Sequence, residues 1–125
     1  MERLNQKNII SRFCELAHLT ESEAETYSAT VVAAMSYFGR LLMRDPDDSE
    51  EALCEYACAC KAFYDYTVLK AATSKTYSTQ SGGIYARLSD DQTVINAENL
   101  WQNALASLPE GLVRDCSFIF EGVAG

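Results

Sequence analysis

Residues 49–72, SEEALCEYACACKAFYDYTVLKAA, carry apolar side chains on nearly every face of the helix they would form. A surface helix shows one apolar stripe, so a helix apolar all round must be covered from several sides or meet another subunit. The small side chains of Ala57, Cys58, Ala59 and Cys60 would let neighbouring helices approach closely. This segment therefore reads as the central helix of a bundle, and the rest of the chain must supply its cover.

Three further stripes provide that cover. Ile9, Ile10, Phe13, Leu16 and Ala17, with Cys14 on the same face, recur at helical spacing over residues 4–19. Thr20 followed by Glu23 is a capping-box pattern, so one helix ends there and a second begins. That second helix is expected over about 21–43, on Ala24, Tyr27, Val31, Met35, Phe38 and Leu42, with Val32 and Leu41 widening the stripe. Asp45-Pro46 ends it, because a residue before proline is pushed out of helical geometry. The central helix follows, with Asp48 or Ser49 as the expected cap. A last helix is expected from Ser89-Asp90 onward, with Val94, Ala97, Trp101, Ala104 and Leu108 in its stripe and Pro109-Glu110-Gly111 ending it.

Between the third and fourth helices the pattern breaks. The Ser-, Thr- and Gly-rich stretch around Gly82-Gly83, followed by the alternation Ile84-Tyr85-Ala86-Arg87-Leu88, predicts a β-hairpin or an extended arm over about 76–88. The tail Cys116-Ser117-Phe118-Ile119-Phe120 reads as a short strand over 116–121 that needs a partner, either Ile84–Leu88 or a neighbouring subunit. Tyr77, Ile84, Tyr85 and Leu88, with Phe118 and Phe120, are accordingly the candidate interface residues, as assembly arms that add strands to another chain or as an intramolecular cover. The expected architecture is all-α: one domain over 1–125, four helices, and a small β element or arm.

The chain has 10 Lys plus Arg against 18 Asp plus Glu, a net charge of −8. That balance argues against binding nucleic acid through its phosphates. The excess is concentrated, because residues 45–65 hold seven acids and one base, netting −6. Asp45, Asp47, Asp48, Glu50 and Glu51 have the acidic density of a calcium loop but not its spacing. Glu50 or Ala52 stands where glycine is required and Tyr56 or Cys58 where glutamate is required, so the loop reading fails. Acids in a first helical turn complement the helix dipole, and a solvated acidic face is the simplest reading. The other is an acidic patch that faces a partner or a channel.

Catalytic chemistry finds no foothold. One histidine, His18, is present, and no Ser-His-Asp, Cys-His or paired-carboxylate arrangement follows from spacing. The five cysteines include three in CEYACAC, yet no CxxC pair accompanies them, so buried apolar packing is preferred over a thiolate metal site. No enzyme activity, cofactor or metal is expected. No apolar run approaches the ~20 residues that span a bilayer, which leaves an intracellular protein without a membrane partner as the expectation.

The order of elements, with an LTESEAE start, a long second helix ending in an acidic turn, and the texture Leu-Cys-x-Tyr-Ala…Phe-Tyr-x-Tyr in EEALCEYACACKAFYDYTVLK, resembles head–tail connector (adaptor) proteins of prophage morphogenesis clusters over roughly residues 16–108. The resemblance implies a mostly helical structural subunit with no catalytic residues. It would form a homo-oligomeric ring below the portal and extend the DNA channel, with portal and tail proteins as partners, cytoplasmic in a bacterial host and then part of the virion. The Gly/Ser-rich insertion and the aromatic tail depart from that pattern. The alternative is a monomeric acidic protein-binding module, either a DNA mimic presenting residues 45–65 or a small cytosolic regulator.

Overall fold

A computed structural model describes residues 4–78 and 83–114, with side chains over 4–72 and 92–114. Its elements are α1 (Gln6–Ala17), α2 (Glu21–Glu25), α3 (Ser28–Leu41), α4 (Asp48–Ser78) and α5 (Gly83–Ala106). The protein is all-α, and among the described residues the sole β pairing is one antiparallel bridge, Leu42 with Val113.

The central helix is α4, against which α1, α3 and α5 all pack. Cys54, Ala57, Cys58, Ala59, Cys60 and Ala62 are each 0% exposed. Four consecutive buried residues, 57–60, span more than a full circle of the helix, so no face is left to solvent at that level. The covering helices contribute the bulk: Ile9 and Phe13 from α1, Val31 and Phe38 from α3, and Trp101 and Leu105 from α5 are all buried. Small side chains on the hub and large ones on the cover interdigitate at close helix spacing.

The helix ends follow local chemistry. Asn5 caps α1 by accepting from the backbone N–H groups of Lys7 and Asn8, and His18 leaves the helix in the left-handed region at φ 57°. Thr20 and Glu23 form both bonds of the expected capping box. The central helix is capped by Asp47 rather than by Asp48 or Ser49. The Asp47 Oδ1 accepts from Glu50 N–H at 3.0 Å, and a Glu50 carboxylate oxygen accepts from Asp47 N–H at 2.9 Å. Buried Pro46 fixes the approach to that cap.

Two expectations are corrected. The single helix expected over 21–43 is two, because short bonds from Thr26 N–H to Glu23 O (3.2 Å) and Tyr27 N–H to Ala24 O (2.9 Å) tighten the chain after one turn. This turn places the Tyr27 ring edge-on to Tyr66 of α4, with centroids 4.9 Å apart. The second correction concerns the extended element expected over 76–88. α4 continues through Ser78 and α5 begins at Gly83, so Tyr77, Ile84, Tyr85 and Leu88 lie on helical backbone. Ser, Thr and Gly weaken a helix only by amounts up to about 1 kcal/mol per residue, and the long α4–α5 pairing overrides that preference. The strand expected at 116–121, with Phe118 and Phe120, lies outside the described residues.

The chain closes near that tail. After α5, Gly111 turns at φ +85° and Leu112 is fully buried. Met43 N–H then donates to Leu112 O and Arg114 N–H to Leu41 O, each at 2.9 Å.

Because Ala62 is fully covered, Ala62→Leu should lower unfolding free energy by about 1–3 kcal/mol through overpacking. The exposed Ala52→Leu should stay within about 0.5 kcal/mol. Urea denaturation of the two variants checks the difference, and equal stability would contradict the covered hub.

Candidate functional site

The acidic turn, the first of the surfaces singled out by the sequence, is largely occupied by the protein itself. The Arg44 guanidinium makes a two-pronged ion pair with Glu50, at 2.7 and 2.8 Å. Glu50 is only 6% exposed, so this carboxylate serves the α3–α4 turn rather than an outward patch. The Arg44 hydrogen bonds, then the Asp47 backbone N–H, hold the Glu50 carboxyl down at about 2, well below its ordinary 4.5. Asp47 is the cap, and its Oδ1 also accepts from the Ser49 hydroxyl at 2.7 Å. Asp45 and Asp48 are exposed and Glu51 is half-buried.

Two further acids of the same stretch act as internal clamps. Glu55 receives the Asn5 backbone N–H at 2.9 Å and the Asn8 side-chain amide at 3.2 Å, fixing the start of α1 to α4. Asp65 accepts from Lys61 Nζ at 2.6 Å. That ammonium also lies 4.6 Å from the centre of the Tyr37 ring and 5.5 Å from that of Tyr64, a cation held between two aromatic faces. The Tyr64 hydroxyl donates to Glu98 of α5 at 3.2 Å; burial, then the Glu98 charge, pushes that phenol up. The Lys61–Asp65 pair has the i,i+4 spacing of neighbours on one helix, whereas the Glu55–Asn5, Glu55–Asn8, Lys61–Tyr37 and Tyr64–Glu98 contacts join different helices and left no local trace in the sequence.

The cysteine cluster is apolar packing. Cys14, Cys54, Cys58 and Cys60 are free and buried. Burial pushes the thiols of Cys54 and Cys60 up to about 11 and that of Cys58 to about 12. Such thiols carry almost no thiolate at neutral pH, the form needed for nucleophilic attack and metal binding. Among the described residues no group of three or more His, Cys, Asp or Glu is placed to hold a metal ion.

Tyr66 stands at the centre of an aromatic group. Tyr66 meets Phe13 at 5.7 Å and Tyr27 at 4.9 Å, both edge-on, and stacks on Phe63 at 6.4 Å. Beside it lies a cleft of about 320 Å³ between the end of α1, the second half of α4 and Thr93 of α5. The walls of this cleft come from three separate segments, so no single stretch of sequence shows it. Of the interface candidates, Tyr77, Ile84, Tyr85 and Leu88 lie on helical backbone, with side chains that are not among those described, and Phe118 and Phe120 lie outside the described residues.

Two outcomes follow. The Glu50 carboxyl is depressed in the folded state, so its stabilisation is complete above the ordinary value near 4.5 and is lost as pH falls towards about 2. Glu23, lowered by its capping box, adds to the same acid limb. Glu50→Gln should therefore be less stable than the parent at pH 7, with the difference shrinking between about pH 4.5 and 2 when melting temperature is followed against pH. In a Cys116→Ser background, the folded chain should show no fast-reacting thiol towards a disulfide reagent at pH 8. All four remaining cysteines should react in denaturant. A fast thiol in the folded protein would contradict the burial.

No helix of the described residues is long and apolar enough to cross a membrane. Comparison with protein-family models, with curated proteins and with solved structures gives no match for this chain.

Proposed function

We propose that the chain is a non-enzymatic structural subunit that assembles with copies of itself. The specific form is the ring that connects head to tail in a prophage-encoded particle, seated below the portal and extending the DNA channel. Its partners would be a second copy, the portal and a tail protein.

The observation that carries the reading is the apolar surface left outside a covered core. Val32 (50% exposed), Met43 (66%), Val68 (42%) and Ile95 (51%) are large apolar side chains on or beside α3, α4 and α5. Single exposed apolar residues are ordinary, but several on the same helices that build the core suit contact with other chains. The rival DNA mimic needs acids displayed outward. Asp47, Glu50, Glu55 and Asp65 are instead engaged within the chain, which removes most of the phosphate-like display from residues 45–65.

Sedimentation velocity on the full chain tests the proposal. Species larger than the monomer should grow with concentration up to about 100 µM, within the range where micromolar association is read. The double variant Val68→Glu, Ile95→Glu should return the monomer with an unchanged melting temperature, since a charge at a buried contact is costly while these exposed positions tolerate it in the free chain. A parent that stays monomeric throughout would overturn self-assembly. The connector form carries a further expectation, that genes for portal, capsid and tail proteins flank its own.

A further inference from the structure

We propose that the cleft beside Tyr66 binds a small organic carboxylate with an aryl or short alkyl body. This reading is independent of self-assembly, because every wall belongs to a single chain.

The shape is suitable. At about 320 Å³ the cleft lies at the small end of the ~300–1,000 Å³ range of ligand pockets. Leu16, Ala17, Phe63 and Ala71 give it apolar walls, which favour a carbon skeleton over an inorganic anion. The Tyr66 face is held in place from three directions, by Phe13, Tyr27 and Phe63. A wall fixed before binding loses little side-chain freedom when a ligand stacks on it.

The polar groups select the charge. Lys70 lines the cleft with its Nζ 6.0 Å from the centre of the Tyr66 ring, and among the described residues no carboxylate pairs with it. By contrast, Lys61 on the same helix is paired with Asp65. Lys70 therefore presents a cation at the mouth of an apolar slot, on a chain whose net charge is −8. His18 stands on the α1 side of the same slot. Deeper in, Thr67 is 4% exposed and its hydroxyl proton is given to Tyr64 O at 2.7 Å. The Thr67 hydroxyl therefore has no second proton to give a carboxylate, and the charge contact falls to Lys70. One ammonium over an aromatic face matches a monoanion, whereas a phosphate would call for several donors or an arginine fork.

The probe is 3-phenylpropionate, with 3-phenylpropanamide and phenethylamine as neutral and cationic controls of similar shape. Titration followed by aromatic nuclear magnetic resonance should shift the Phe63 and Tyr66 ring signals, with a Kd of roughly 0.1–1 mM for a ligand of this size. The amide and the amine should each bind at least about 5-fold more weakly, the loss of one charge-assisted contact. Lys70→Gln should weaken the acid by a similar factor and bring acid and amide level. Leu16→Trp, which fills the slot, should abolish the shifts. Lys70 is exposed, so its variant folds and keeps the test decisive if Leu16→Trp does not. Absence of ring shifts with 5 mM acid (about five times the weakest expected Kd), equal binding of acid and amide by the parent, or unchanged affinity in Lys70→Gln would each overturn the proposal. Oligomeric state, measured on the same samples, separates this result from the assembly reading.

Discussion

Complete coverage of the middle of α4 is the constraint from which the rest of the architecture follows. A helix whose 57–60 segment is wholly buried needs neighbours around its full circumference, and a chain of 125 residues has few helices to spend on that task. α1, α3 and α5 supply them. Ala and Cys on the hub then become necessary, because larger side chains on every face would hold three neighbours too far away to seal the core. The bulky residues sit on the outer helices and point inward, where Phe13, Phe38 and Trp101 fill the space that the hub leaves.

Polar groups at the margins of this core set the register between helices. Glu55 joins α4 to the start of α1, and Tyr64 joins α4 to Glu98 of α5. The Arg44–Glu50 pair fixes the turn before α4. Hydrophobic burial is indifferent to small slides, whereas hydrogen bonds of about 3 Å tolerate little displacement. The acids of residues 45–65 that look like a solvated run in sequence are thus partly fasteners. Outward among the described residues lie the apolar side chains of Val32, Met43, Val68 and Ile95, and the cleft beside Tyr66 is lined by one ammonium, that of Lys70.

Much of the fold was legible where the signal is local. The Thr20–Glu23 capping box and the stripe through Ala97, Trp101, Ala104 and Leu108 depend on neighbours within a few residues, and each corresponds to a helix or its end. The stop expected at Asp45-Pro46 comes earlier, since α3 ends at Leu41 and Leu42 is already extended in its bridge to Val113. The all-round apolarity of residues 49–72 correctly pointed to a central helix. The break at Thr26-Tyr27 was not legible, because the packing of Tyr27 on Tyr66 involves residues 39 apart in the chain. The helix starting at Gly83 was hidden by Ser, Thr and Gly composition, which a long helical pairing outweighs. Among the site candidates, Glu50 was singled out for its charge but is placed by Arg44, and the cleft beside Tyr66 left no trace in any single segment.

The tie between the end of α3 and the segment that follows α5 has a mechanical meaning. Backbone hydrogen bonds join Leu41 to Arg114 and Met43 to Leu112, and the Leu112 side chain is sunk in the core behind them. Tension applied to the chain beyond Arg114 would therefore not run back along α5. It would load the turn between α3 and α4 first, through two hydrogen bonds and one buried leucine, leaving the α4–α5 pair at rest. Such a clasp lets whatever follows residue 114 be gripped or pulled while the helices behind it keep their packing.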